Sequence, residues 1–231
     1  MTRLPHGCAS SRPSTPELFH GKPREERRSL RSSMRARRSA IRGKRRRVVA
    51  RQWAQVASPL LLRRGRLALY MASAEELDVG VFLERACRRR REICLPVITG
   101  RRKPLIFRRA SGRWVMNRHG IREPARGAPV RRVRFLSVVV MPLVAFDAHG
   151  HRLGMGGGYY DRTMAHRRLR LVWKRPLLIG AAYACQQADQ LPAMAWDIPL
   201  DAVVTEKGWQ VMRKSMGYGA RGRAAGDHHG A

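Results

Sequence analysis

Met141-Pro-Leu-Val-Ala-Phe-Asp-Ala-His-Gly-His-Arg-Leu-Gly-Met-Gly-Gly-Gly-Tyr-Tyr-Asp-Arg162 runs from the end of a buried strand, through a turn at 147–150, into a glycine-rich loop and a helix start. The apolar run Phe135–Met141 just upstream lacks the in–out alternation of a half-solvated strand, so it reads as a central strand covered on both faces. A strand, a glycine loop and a helix in that order define one unit of an α/β fold. Gly154, Gly156, Gly157 and Gly158 allow positive φ and close approach to a ligand. Amide groups and the positive end of the following helix then converge on one spot, which suits an anion. Arg152 adds a charge able to make two hydrogen bonds to a phosphate. Asp161, just behind the glycines, is placed to hold a magnesium ion bridging phosphate oxygens. Tyr159 and Tyr160 can stack on a flat ligand or hydrogen-bond to it.

Two familiar phosphate loops are excluded. There is no G-x-x-x-x-G-K-[ST], and Tyr159 stands where G-x-G-x-x-G needs its third glycine.

Outward from that stretch, the same alternation continues. A long helix is expected from about Pro23 to Ser58-Pro59, with Leu30, Met34, Ile41, Val48, Val49, Trp53 and Val56 on one side. Arg66–Met71, Glu92–Ile98, Pro104–Arg109, Pro176–Tyr183 and Ala202–Thr205 read as strands. Asp78–Arg90 reads as a helix capped by Asp78, Tyr159–Arg168 as another helix, and Ser111–Arg134 as a loop region. The expectation is a single three-layer α/β/α domain with a mostly parallel sheet over residues 24–209. Residues 1–23 read as a disordered basic tail and 210–231 as a flexible tail.

The 231 residues carry 48 Lys/Arg against 16 Asp/Glu, a formal charge of +32. Residues 1–66 alone hold 19 basic and 3 acidic side chains. Such a surplus points to anionic partners or nucleic acid. However, 42 of the basic residues are Arg and six are Lys, a bias that genome composition alone produces. Cys8, Cys87, Cys94 and Cys185 form no C-x-x-C pair, so no zinc or redox signature is present, and Cys87 and Cys94 are expected in the core. The N-terminus has no apolar segment of the secretory kind. Val138–Phe146 contains a proline and is far too short to span a bilayer. A reduced cytoplasmic protein without membrane attachment is the simplest reading. His149-Gly-His151 reads as a polar turn.

Arg152-Leu-Gly-Met-Gly-Gly-Gly-Tyr-Tyr-Asp-Arg162 resembles the signature of the 5-formyltetrahydrofolate cyclo-ligase family, also called methenyltetrahydrofolate synthetases. Further blocks match in order between about 24 and 209: Arg27 to Arg31, Ala68–Met71 with Glu76-Leu-Asp78, Gly120-Ile121 with Glu123-Pro124, and Gln186, Leu191-Pro192 and Asp197–Glu206. Departures are Arg27 where Lys is frequent, Val79 for Thr, His119 for Phe or Trp, Arg122 for Pro, and Tyr183-Ala184 for a Phe–acid pair. They bear on substrate affinity more than on reaction type.

The resemblance implies magnesium- and ATP-dependent conversion of 5-formyltetrahydrofolate to 5,10-methenyltetrahydrofolate, with ADP and phosphate released. It assigns ATP to Arg27, Arg31, Arg152, Leu153, Gly154, Met155, Gly156, Gly157, Gly158, Tyr159 and Tyr160. It assigns folate to Met71, Glu76, His119, Met155, Gly156, Gly157, Gly158 and Tyr159. Arg152 and Tyr159 become the catalytic candidates. Asp161 and Asp197 become the metal ligands, with Asp201 as the alternative to Asp197. A monomer is expected, with any nucleic-acid contact non-specific and through the basic tail. The alternative is a nucleic-acid-associated protein that keeps the fold with little activity.

Overall fold

The computed structural model describes residues 23–117, 120–168 and 176–212. In chain order the elements are α1 (Pro23–Ser39), α2 (Gly43–Leu61), β1 (Leu67–Ala68), α3 (Gly80–Arg88), β2 (Ile93–Val97), β3 (Ile106–Arg109), β4 (Trp114–Met116), β5 (Arg122–Pro124) and β6 (Val130–Arg131). Then come β7 (Val138–Pro142), β8 (Ala145–Phe146), β9 (Arg152–Leu153), α4 (Tyr159–Thr163), β10 (Leu177–Ala181), β11 (Ala202–Thr205) and β12 (Gly208–Val211). The main sheet has the order β12-β11-β10-β7-β1-β2-β3-β6. Its centre, β11-β10-β7-β1-β2, is parallel throughout, and β12, β3 and β6 join antiparallel at the edges.

The expected central strand is therefore central, and buried on both faces for the reason read from its composition. Val138 and Val140 face one side, together with Leu67, Leu69, Ile93, Leu95 and Ile179. That side is covered by α2 and α3, through Trp53, Ala57, Leu61 and Phe82. Val139 and Met141 face the other side with Ala68, Leu178 and Val203, under Phe146, Met164, Ile198 and Leu200. The second covering layer is thin. Among the described residues, the five residues of α4 and 3-10 turns at Val133–Phe135 and Ala165–Arg168 supply helix there, where a helix from Tyr159 through Arg168 was expected. Trp53 is fully buried and donates Nε1–H to Val204 O at 2.8 Å.

Several expected boundaries move. The first long helix is two helices, separated at 40–42, with Gly43 at φ +54° opening the second. Its periodic apolar residues continue across the break, which is why sequence spacing alone ran through it. Pro59 does not end α2. It lies in the last turn, and the carbonyl it leaves without a donor belongs to exposed Gln55, where water can serve. Asp78 does act as a cap, but from outside: α3 starts at Gly80, whose N–H donates to Asp78 Oδ1 at 2.8 Å.

The segment 111–134 is not loop. It holds the β4–β5 hairpin and β6, which seals one sheet edge. At the other edge β12 extends to Val211, two residues into the expected tail. Cys94 is buried, and burial raises its thiol to about 11, but Cys87 is exposed on α3 rather than packed. Residues 1–22 and 213–231, and His119, lie outside the described residues.

Candidate active site

The glycine loop is launched from a small hairpin with a buried carboxylate at its turn. Asp147 is fully buried; its Oδ1 accepts from the N–H groups of His149 (2.9 Å) and His151 (3.0 Å). Its Oδ2 accepts from Leu191 N–H at 3.1 Å and lies 2.9 Å from His151 Nδ1. This turn is what the two histidines serve, and among the described residues no group of three or more metal-ligating side chains gathers. Past β9, Gly156 (φ +96°) and Gly158 (φ +61°) adopt backbone that other residues resist. A methyl at Gly157 would lie 2.9 Å from ring atoms of Tyr159, whereas one at Gly154 would meet open space.

Two arginines hold the loop by its carbonyls. Arg31 Nε donates to Gly154 O at 2.8 Å, and Arg162 Nη2 donates to Gly157 O. The Arg162 guanidinium also lies 5.2 Å from the centre of the Tyr159 ring.

Two cavities meet at this loop. One opens at the carboxyl ends of β1 and β7, where the chain's path across the sheet reverses direction, the usual ligand position of an open α/β sheet. Tyr70 and Met71 line it after β1, Leu143 after β7, Ile98 and Leu105 at one wall, and Met155, Tyr159 and Tyr160 at the other. Asn117 and Ile121, from the tip of the β4–β5 hairpin, also line it. Glu76 is one of its two carboxylates, with Oε2 accepting Ser73 N–H at 2.8 Å. Burial, followed by the charge of Glu76, pushes the phenols of Tyr70 and Tyr160 upward, so both stay protonated donors at neutral pH.

The second cavity is basic. Arg24, Arg27, Arg28, Arg31 and Arg162 line it, with Trp196 and the carboxylates Asp161 and Asp197. Gly158 and Asp161 border both cavities. Arg31 carries its charge against a gradient: burial and then Arg27 lower its proton affinity, while Asp197 raises it. An added anion would relieve that strain.

The chain that brings a partly apolar pocket and an arginine pocket together at one glycine loop matches known proteins over most of its length. The model of the 5-formyltetrahydrofolate cyclo-ligase family matches residues 23–206. The chain belongs to this family. Curated cyclo-ligases from Escherichia coli K12 (38% identical over 152 residues, 62% of this chain and 80% of the relative) and Haemophilus influenzae (36% over 140 residues, 58% and 72%) are similar to it. Among solved structures, the Aquifex aeolicus 5,10-methenyltetrahydrofolate synthetase superposes with a TM-score of 0.69 at 28% identity, covering 88% of this chain and 97% of that one.

With the cyclo-ligase family as frame, the expected residues sort clearly. Met71, Glu76, Met155, Gly157, Gly158 and Tyr159 do line the first cavity. Arg27, Arg31 and Gly156 line the second. Gly154, Tyr160 and Arg152 line the first cavity as well, and Leu153 is core, 1% exposed. Arg152 is not a free cation. It is 7% exposed, donates Nη2–H to Asp161 Oδ1 at 2.6 Å and Nη1–H to Ile198 O. Asp161 Oδ1 also accepts from Ile198 N–H at 3.2 Å. Asp197 pairs with Arg27 at 2.6 Å and accepts Met194 N–H at 3.0 Å. Asp201 lies elsewhere, bound to Arg167 and to Leu178 N–H near the start of β10.

Arg24, Arg28, Arg162, Trp196, Asn117 and Ile121 were not anticipated. The spacing of Arg24 to Arg28 repeats that of Arg27 to Arg31, the one sequence signal available for them. No helix among the described residues is long and apolar enough to cross a membrane.

Proposed function

We propose that the two joined cavities close the 5,10 bridge of 5-formyltetrahydrofolate with ATP, folate in the first and nucleotide phosphates in the second. The observation that carries this reading is the shared wall: Gly158 and Asp161 border both pockets, so the formyl oxygen and the terminal phosphate meet there. A formamide oxygen is a poor leaving group. Transfer of the γ-phosphoryl group to it, with ADP leaving, makes a bond that N10 can displace. N10 attacks the formyl carbon, loses its proton, and phosphate departs. Such chemistry asks the protein chiefly for positioning and for charge stabilisation.

The residues meet those demands in place. Glu76 accepts from the amino and ring N–H donors of the pterin, while the protonated Tyr160 and Met71 border the ring. Arg31, Arg28 and Arg24 supply positive charge along the phosphate path, and Trp196 offers a flat face at its rim for the adenine. The Arg152–Asp161 pair fixes the end of the loop against Ile198, so Arg152 acts by holding geometry.

For magnesium, Asp161 fits: it lines the phosphate cavity, and Arg152 and Ile198 both bind Oδ1, leaving Oδ2 for a ligand. Asp197 is the second carboxylate there, engaged by Arg27 through both oxygens. One or two carboxylates plus substrate phosphates is the donor set this ion commonly takes in nucleotide sites, where it neutralises phosphate charge. Removal of divalent metal by chelation should abolish product formation, and restoring magnesium should recover it.

A further inference from the structure

Arg27, Arg31, Arg35 and Arg38 stand four, four and three residues apart on α1, within an arc of about 80° and over about 16 Å of helix. Together they reach three parts of the site. Arg27 binds Asp197 and Pro192 O, and Arg31 binds Gly154 O. Arg35 makes two bonds to Glu75, from Nε at 3.1 Å and Nη2 at 3.0 Å. Arg38, only 2% exposed, donates Nη2–H to Glu75 Oε2 at 2.9 Å and Nη1–H to Leu143 O at 3.4 Å. Glu75 is the residue before Glu76, an acid of the folate cavity. Arg46 of α2 holds the same loop by Ser73 O (2.9 Å) and Glu76 O (3.0 Å). One rigid helix thus carries the phosphate-facing arginines at one end and, at the other, the fastening of the loop that presents Glu76.

We propose that Glu75 is a positioning residue that couples the two substrate pockets. By fastening the 73–78 loop to α1 through Arg35 and Arg38, it makes the seating of phosphates on Arg27 and Arg31 and the placement of Glu76 parts of one unit. Phosphates that fix the position of α1 then fix the folate acid as well, and by linkage folate raises nucleotide affinity by the same factor. Glu75 touches neither substrate. Its carboxylate is committed to the helix: the hydrogen bonds from Arg35, then those from Arg38, hold it down at about 2, so it stays ionised throughout the working pH range. This rests on the assignment of the two cavities to folate and ATP.

The test measures 5-formyltetrahydrofolate binding to the full-length protein by calorimetry, with and without a non-hydrolysable ATP analogue and magnesium. The wild type should bind folate about fivefold more tightly or better with the analogue present. Glu75→Gln should bind each ligand alone nearly as well but lose most of that enhancement, and Glu75→Asp should recover part of it. Arg35→Gln, which removes a half-exposed partner and leaves the buried Arg38 bond, gives the same reading in a protein whose folding is not in question. Enhancement intact in Glu75→Gln and Arg35→Gln overturns the proposal, as does a wild type that binds both ligands independently. A wild type that binds neither ligand overturns the assignment of the cavities as well.

Discussion

Replacing Arg152 by Met separates two roles that its position in the glycine motif confounds. If the guanidinium served chiefly as a phosphate clamp, its loss would weaken nucleotide use and leave the fold alone. In the structure it is 7% exposed and its bonds go to Asp161 and Ile198. Breaking a fully buried ion pair from one side costs about 3–5 kcal/mol. Asp161's side chain is 23% exposed and keeps Ile198 N–H, so water recovers part of that cost. About 2–3 kcal/mol remains, which raises the unfolded fraction about 30- to 150-fold. Urea unfolding of wild type, Arg152→Met, Asp161→Asn and the double variant measures it. The double variant should cost less than the sum of the singles by more than about 1 kcal/mol, as neighbours in one pair do. A loss under about 1 kcal/mol for Arg152→Met, with additive singles and a raised KM for ATP, would refute the pairing and restore the clamp.

Arg31→Ala should lower kcat/KM for ATP by about 1.5–3 kcal/mol, the worth of a charged hydrogen bond to phosphate, with smaller change in folate KM; steady-state kinetics with each substrate varied decides it. Glu76→Gln should raise folate KM at least about tenfold, leaving ATP KM nearly unmoved, since a neutral amide accepts pterin N–H groups more weakly. Gly158→Ala should cost about 1–2 kcal/mol of stability from its left-handed backbone, read by thermal or urea unfolding. The carboxyl of Glu75 is lowered in the folded protein, so its contribution is complete above its ordinary range and fades as pH falls from about 4.5 towards 2. Stability measured from pH 6 to 3 should therefore fall less steeply in Glu75→Gln than in the wild type.

Much of the fold could be read because its central strands are apolar without alternation and its glycine loop is chemically distinctive. The apolar run ending at Met141 announced a strand buried on both faces, although β7 starts only at Val138 and Phe135 lies half-exposed in a 3-10 turn, and β11 was placed to the residue. The β4–β5 hairpin was missed because its turn residues sit among arginines and its strands are three residues each, too short for a period to show. The break between α1 and α2 was missed because the apolar stripe continues across it. In the site, residue types were legible and partners were not. Sequence gives Arg152 and Asp161 nine positions apart, but only the folded loop turns them towards each other and makes an ion pair of two expected ligand-binding groups. Arg24 and Arg28 were hidden in a segment where nearly every other residue is basic.

Ring closure driven by ATP is the reaction both cavities are expected to serve. Purified full-length protein, given 5-formyltetrahydrofolate, ATP and magnesium, should produce the absorbance of 5,10-methenyltetrahydrofolate, with ADP and phosphate formed in equal number. Omission of ATP or of the metal should leave the spectrum unchanged. No product at micromolar enzyme, or product formed without ATP, would contradict it.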